Sequence, residues 1–150
     1  MRTIVSLRLV LPAVWLGLLV GLSFIETPLK FQAPGITVPL GLGIGRLVFW
    51  ALAIAGAVLL LALTAVSYAG PRVDRVSWLL LGGLWLTLIV QSAAIRPALS
   101  ARSDIVISGG DPGPSVLHYL YIATDVVIVA LLLVWVVRMA RRIIPATPHA

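Results

Sequence analysis

Four runs of this chain, Leu9 to Ile25, Leu47 to Ala69, Val76 to Ile95 and Val116 to Val137, contain between them a single formal charge, that of Asp125. A hydrocarbon core of roughly 30 Å needs about 20 apolar residues for one helical crossing, and only helices or closed barrels can satisfy their backbone there. Helices are therefore expected at about 9–25, 47–69, 76–95 and 116–137. Composition agrees: 61% of residues are hydrophobic and 11% charged, against about 25% charged in an average soluble domain. The expected fold class is all-α, a polytopic membrane four-helix bundle. It forms a single transmembrane domain over residues 1–142, with 143–150 as a flexible cytoplasmic tail.

The connections carry their own signals. The first run exceeds the usual length of a signal-peptide core and no Ala-x-Ala-like site follows it, so a retained helix is expected. "GPRVDR" stops the second run at Gly70-Pro71 and makes a tight hairpin. "RPALSARSDIVISGGDPGPS" carries turn chemistry in "GGDPGP" and is expected as a solvent-side loop. "ETPLKFQAPGITVPLGLGIGR" is apolar but broken by Pro28, Pro34, Pro39 and several glycines. It reads as an irregular apolar outer loop after helix 1, lying across the bundle as a lid.

Orientation follows the basic residues. Arg2, Arg8, Arg72, Arg75, Arg138, Arg141 and Arg142, seven in all, fall on one side, and Lys30, Arg46, Arg96 and Arg102, four, on the other. A multi-pass protein of the cell membrane with both termini cytoplasmic is the expectation. Trp78 and Trp135 then fall near the inner interface, Trp50 and Tyr119 near the outer one. The net charge of +6 sits at helix ends, where long cationic side chains reach the headgroups. Membrane lipids are the expected partners, and nucleic acid is not, because no basic and aromatic module remains.

Chemistry is scarce. With no cysteine, thiolate sites and disulfides are excluded, and His118 and His149 cannot supply a zinc site or a bis-histidine haem within one chain. No metal, cofactor or catalytic residue is expected, and the chain is not read as an enzyme. "GLGIGR" lacks the strand and the Gly-Lys-Ser/Thr ending of a phosphate loop. Gly17-xxx-Gly21 and Ala51-xxx-Ala55 offer small faces for close packing, within the bundle in preference to between copies.

Polar groups within the spans are the candidate site. Asp125 lies about nine residues into the fourth helix, or roughly 13 Å, near the midplane, where an ionised aspartate costs about 2.5–3.5 kcal/mol. His118, at i−7, shares its face. Gln91 and Thr87, four residues apart on the third helix, come to similar depth and are expected to share hydrogen bonds with Asp125. Glu26, Lys30, Arg46 and Arg96 form an outer charged cluster, in which Glu26 with Arg46 or Arg96 is the expected ion pair.

"SFIETPLKF" after the first run, "LGIGRLVF" opening the second, "IRPALSARSD" ending the third and "SVLHYLYIATD" opening the fourth together resemble the uncharacterised bacterial four-helix membrane proteins related to transmembrane protein 205. The resemblance spans most of the chain and implies a small four-helix integral protein of the cell membrane, with no established chemistry. Three roles for Asp125 stay open: a protonated residue bonding helices together, a proton or solute site, or a contact to another membrane protein or a second copy. The leading functional expectation is an accessory, structural, lipid-binding or partner-binding bundle. The alternative is an oligomeric proton- or cation-coupled transporter of a small solute that uses Asp125 as its intramembrane site.

Overall fold

The computed structural model describes residues 2–143, and the tail expectation for 143–150 falls almost wholly outside them. Four helical spans are long and apolar enough to cross a bilayer: Thr3–Lys30, Val38–Ala69, Arg75–Ile107 and Leu117–Ile143. They run up, down, up and down. The start of the first span, the end of the fourth at Ile143 and the 70–74 hairpin therefore share one end of the bundle, here the termini end; the opposite end is the pocket end.

The first span comprises α1 (Arg2–Leu19), a π-helical turn (Val20–Glu26) and α2 (Thr27–Lys30). The second is α3 (Val38–Ala69). The third comprises α4 (Arg75–Val90), a π-helical turn (Gln91–Ile95) and α5 (Arg96–Ile107), and the fourth is α6 (Leu117–Ile143). First and third spans thus repeat one plan, and the prolines explain it. Pro28 and Pro97 each follow a π turn by two residues. Proline lacks an N–H and its ring presses on the carbonyl four residues back, so widening the preceding turn relieves the clash without ending the helix. The wide turns close through Thr27 N–H to the Leu22 carbonyl and Arg96 N–H to the Gln91 carbonyl.

Two loop expectations are corrected by this. The segment after Arg96 is not a loop; helix continues to Ile107, and the turn occupies 108–116. The second span begins at Val38, nine residues earlier than expected, because Thr37 caps it by accepting from Leu40 N–H and Pro39 suits a first turn. The irregular segment shrinks to residues 31–37, and no extended lid is present among the described residues.

The core runs along the bundle axis through Trp15, Leu60, Leu63, Leu84, Ile128, Leu132 and Trp135. Leu47, Leu79, Leu86 and Val116 are among the many large apolar side chains left on the outside, the inverse of a soluble protein and the surface a lipid-embedded bundle needs. Close packing uses Gly56, where an added Cβ would lie 3.0 Å from Trp15 Nε1. Gly17 and Gly21, expected to pack inside the bundle, face open space. Trp135 is also corrected: it is fully buried and donates its indole N–H to the Arg8 carbonyl at 2.7 Å, so it belongs to the core and not to an interfacial belt.

The termini end is tied by polar groups. Arg8, only 5% exposed, donates to the carbonyls of Val66, Ser67 and Pro71 and so caps the C-terminal turn of α3. Asp74 caps α4 through Ser77 and pairs with Arg138 at 2.6 Å and Arg142 at 2.8 Å.

Candidate functional site

The π turns set the site. Gln91 opens the turn in the third span, and its side-chain amide donates to Asp125 Oδ1 at 2.7 Å and to Thr124 Oγ1 at 2.9 Å. The Thr124 hydroxyl in turn donates to the Tyr121 carbonyl at 2.7 Å. Both amide hydrogens of Gln91 are thereby used, and Gln91 and Asp125 are buried, 3% and 2% exposed. Thr87 does not join them. Its hydroxyl donates to the Gly83 carbonyl one turn back on its own helix, the usual competitor for a threonine inside a helix.

The π turn of the first span brings Ser23 to the opposite side of Asp125. The two residues line one open-sided cleft of about 390 Å3 between the first and fourth spans. Ser23 Oγ is buried and has no hydrogen-bond partner. The cleft exists because these spans pack tightly only at the termini end, where Trp135 meets Arg8, and part where the wide turn begins. Apolar walls come from Phe24, Phe31, Phe49 and Ile122.

Above the cleft, at the pocket end, lies a cavity of about 110 Å3 walled by Phe31, Leu42, Phe49, Leu99 and Tyr121. Lys30, Arg46, Arg96 and His118 add the polar part of its lining. Thr27, Phe31, Phe49, His118 and Tyr121 line cavity and cleft alike, so the two spaces adjoin. Two of the three "GLGIGR" glycines, Gly41 and Gly45, have a packing explanation here, whereas Gly43 meets nothing within 4 Å. A Cβ on Gly41 would lie 2.2 Å from the Phe31 ring and one on Gly45 2.9 Å from Lys30 Nζ, so both glycines let the first span's end seat against α3.

The outer cluster pairs differently from expectation. Glu26 pairs with Lys30 at 3.4 Å, one turn along the same helix, and not with Arg46 or Arg96. Arg46 pairs with Asp104 on α5, an acid placed there only because the helix runs past Pro97. The Lys30 ammonium also lies 5.6 Å from the ring centres of Phe31 and Phe49. Among the described residues Arg96 enters no ion pair, and its buried Nε has no hydrogen-bond partner. His118 is exposed at the rim, stacked edge-on to Tyr119.

Sequence reasoning did not single out Ser23 or Thr124. The Thr-Pro and Arg-Pro pairs inside helical runs were the available signal for the two wide turns. No group of three or more histidine or carboxylate side chains that could hold a metal ion occurs among the described residues.

Fold and site define a multi-pass membrane four-helix bundle with a buried polar centre beneath an amphipathic cavity. No family model, curated protein or solved structure matches the chain.

Proposed function

We propose that this chain is a small accessory protein of the cell membrane, with both termini cytoplasmic, that holds an amphiphilic lipid-like ligand at the pocket end of its bundle. One observation carries this reading: a cavity with polar groups at its rim adjoins an apolar cleft that opens sideways between two spans. A ligand with one polar and one apolar end suits such a space, and the surrounding bilayer supplies such molecules by lateral entry. The orientation rests on the seven arginines of the termini-end segments, Arg2, Arg8, Arg72, Arg75, Arg138, Arg141 and Arg142, against four basic residues toward the pocket end.

The test is lipid analysis by mass spectrometry after extraction in mild detergent. Wild type is expected to keep lipid through washes that strip the general annulus. Leu99→Trp, which fills the cavity from α5, is expected to lower the retained amount several-fold. Equal retention in both proteins would remove the cavity from the account.

A second reading, a proton- or cation-coupled transporter working as an oligomer, draws on the Asp125–Gln91 pair with the unpartnered Ser23 hydroxyl beside the same cleft. Asparagine at 125 keeps an acceptor but does not titrate. Liposomes loaded with a pH dye distinguish the readings: potential-driven proton uptake that is present in wild type and absent in Asp125→Asn would favour transport.

A further inference from the structure

We infer that the ligand is an anionic phospholipid whose phosphate seats on Arg96 and whose acyl chains leave through the cleft between the first and fourth spans. This rests on the lipid-binding reading above and adds the headgroup chemistry. Three cationic side chains, Lys30, Arg46 and Arg96, line the cavity. Two are already matched, Lys30 by Glu26 and Arg46 by Asp104. Arg96 enters no ion pair among the described residues, and its Nε is buried without an acceptor. Asp125, the next acid down the cleft, takes its hydrogen bond from Gln91 and is not within ion-pair distance of Arg96.

A buried guanidinium donor with no acceptor is costly, and a phosphate oxygen satisfies it through the planar fork that guanidinium presents. Arg96 is thus the one cationic side chain of the cavity lining outside an ion pair among the described residues, and it suits a headgroup with one net negative charge. Phosphatidylglycerol meets that condition. Phosphatidylcholine does not, since its trimethylammonium would sit among the cations. The apolar side walls, Phe24, Phe31, Phe49 and Ile122, continue from the charged rim toward the lipid-facing surface, where chains would run.

The experiment is native mass spectrometry of the full chain released from nanodiscs of phosphatidylcholine mixed with phosphatidylglycerol. Wild type is expected to retain phosphatidylglycerol over phosphatidylcholine by about tenfold, the scale of one charge-assisted contact. Arg96→Gln should bring the ratio near unity, Arg96→Lys should keep part of it, and Arg72→Gln, in the hairpin at the termini end, should leave it unchanged. Thermal midpoints of all four proteins establish that the fold is retained; if Arg96→Gln unfolds, the comparison of wild type with Arg96→Lys and with Leu99→Trp decides instead. Lipid retained without headgroup preference, or a preference lost equally in Arg72→Gln, overturns the inference and leaves lipid binding standing. Displacement of the lipid by inorganic phosphate also overturns it, since the site would then take a free anion. No retained lipid of either kind removes the reading on which it rests.

Discussion

Gln91 Nε2 lies 2.7 Å from Asp125 Oδ1, a buried hydrogen bond that ties the third span to the fourth 34 residues away in sequence. The bond has its partner from a π turn: the wide turn begins at Gln91 itself, so the residue's placement and the helix's accommodation of Pro97 are one feature. If the pair is chiefly an interhelical bond, Asp125→Asn keeps the acceptor and should cost under about 1 kcal/mol. Asp125→Ala, which strands the Gln91 amide, should cost about 1–3 kcal/mol. Unfolding titrations in mixed micelles measure both, and equal losses would mean that the carboxyl's charge matters and the bond does not.

The glycines make a contrast of opposite sign. Gly56→Ala would put a Cβ within 3.0–3.2 Å of the Trp15 indole, which is walled in by the core, so a loss of about 1–3 kcal/mol is expected. Gly17→Ala and Gly21→Ala meet nothing within 4 Å and should be neutral or slightly stabilising. Thermal midpoints of the three variants in one detergent check this. A larger loss at Gly17 than at Gly56 would show that the first span's small face is covered in the assembled protein.

What was legible from sequence was what one helix states about itself. Four apolar runs with one charge among them marked the four spans, and the polar residues within them marked Asp125 and Gln91. Features set by two elements were hidden. Arg8 near a span end reads as a side chain reaching for headgroups, yet its partners are carbonyls 58 to 63 residues onward. Trp135 looked interfacial by position and is buried because Arg8's carbonyl meets its indole. Pro97 looked like a stop, and the π turn before it let the helix continue, which carried Asp104 to Arg46. The Glu26–Lys30 pair was readable at i, i+4 spacing, where a helix brings opposite charges together without help from another element.

Arg8 caps the second span from outside it, and its loss should be felt throughout the termini end. Arg8→Met keeps the length of the side chain but abandons the carbonyls of Val66, Ser67 and Pro71. Hydrogen bonds to a charged donor contribute about 1.5–3 kcal/mol each, and they do not add in full when they share one guanidinium, so a total loss of about 2–4 kcal/mol is expected. Arg8→Lys should recover only part, since a single ammonium cannot reproduce the fork. Hydrogen exchange of the 66–72 backbone gives the local readout: faster exchange there, with the pocket end unchanged, is the expected pattern. Uniform acceleration would assign Arg8 a global role.

Asp74 gives the termini end a dependence on pH with a definite sign. Its carboxyl is held down to about 2 from an ordinary 3.8, first by the Ser77 hydroxyl, then by the Ser77 backbone N–H and the guanidinium groups of Arg142 and Arg138. A carboxyl with a folded pKa below its unfolded one binds its proton more readily in the unfolded chain, so its stabilising effect is complete above the unfolded value and declines as pH falls toward the folded one. The window is therefore 3.8 down to about 2. Thermal unfolding in a non-ionic detergent should show the midpoint falling across that window in wild type. Asp74→Asn should begin lower at neutral pH and lose most of the slope, because asparagine still caps α4 but does not pair with the arginines. Doubling the salt concentration at neutral pH should narrow the gap between the two proteins, since asparagine keeps the cap and the gap is carried by the half-exposed pairs with Arg138 and Arg142, which salt screens. If salt left the gap untouched, the stronger hydrogen bond of a carboxylate to Ser77, and not the arginines, would carry it.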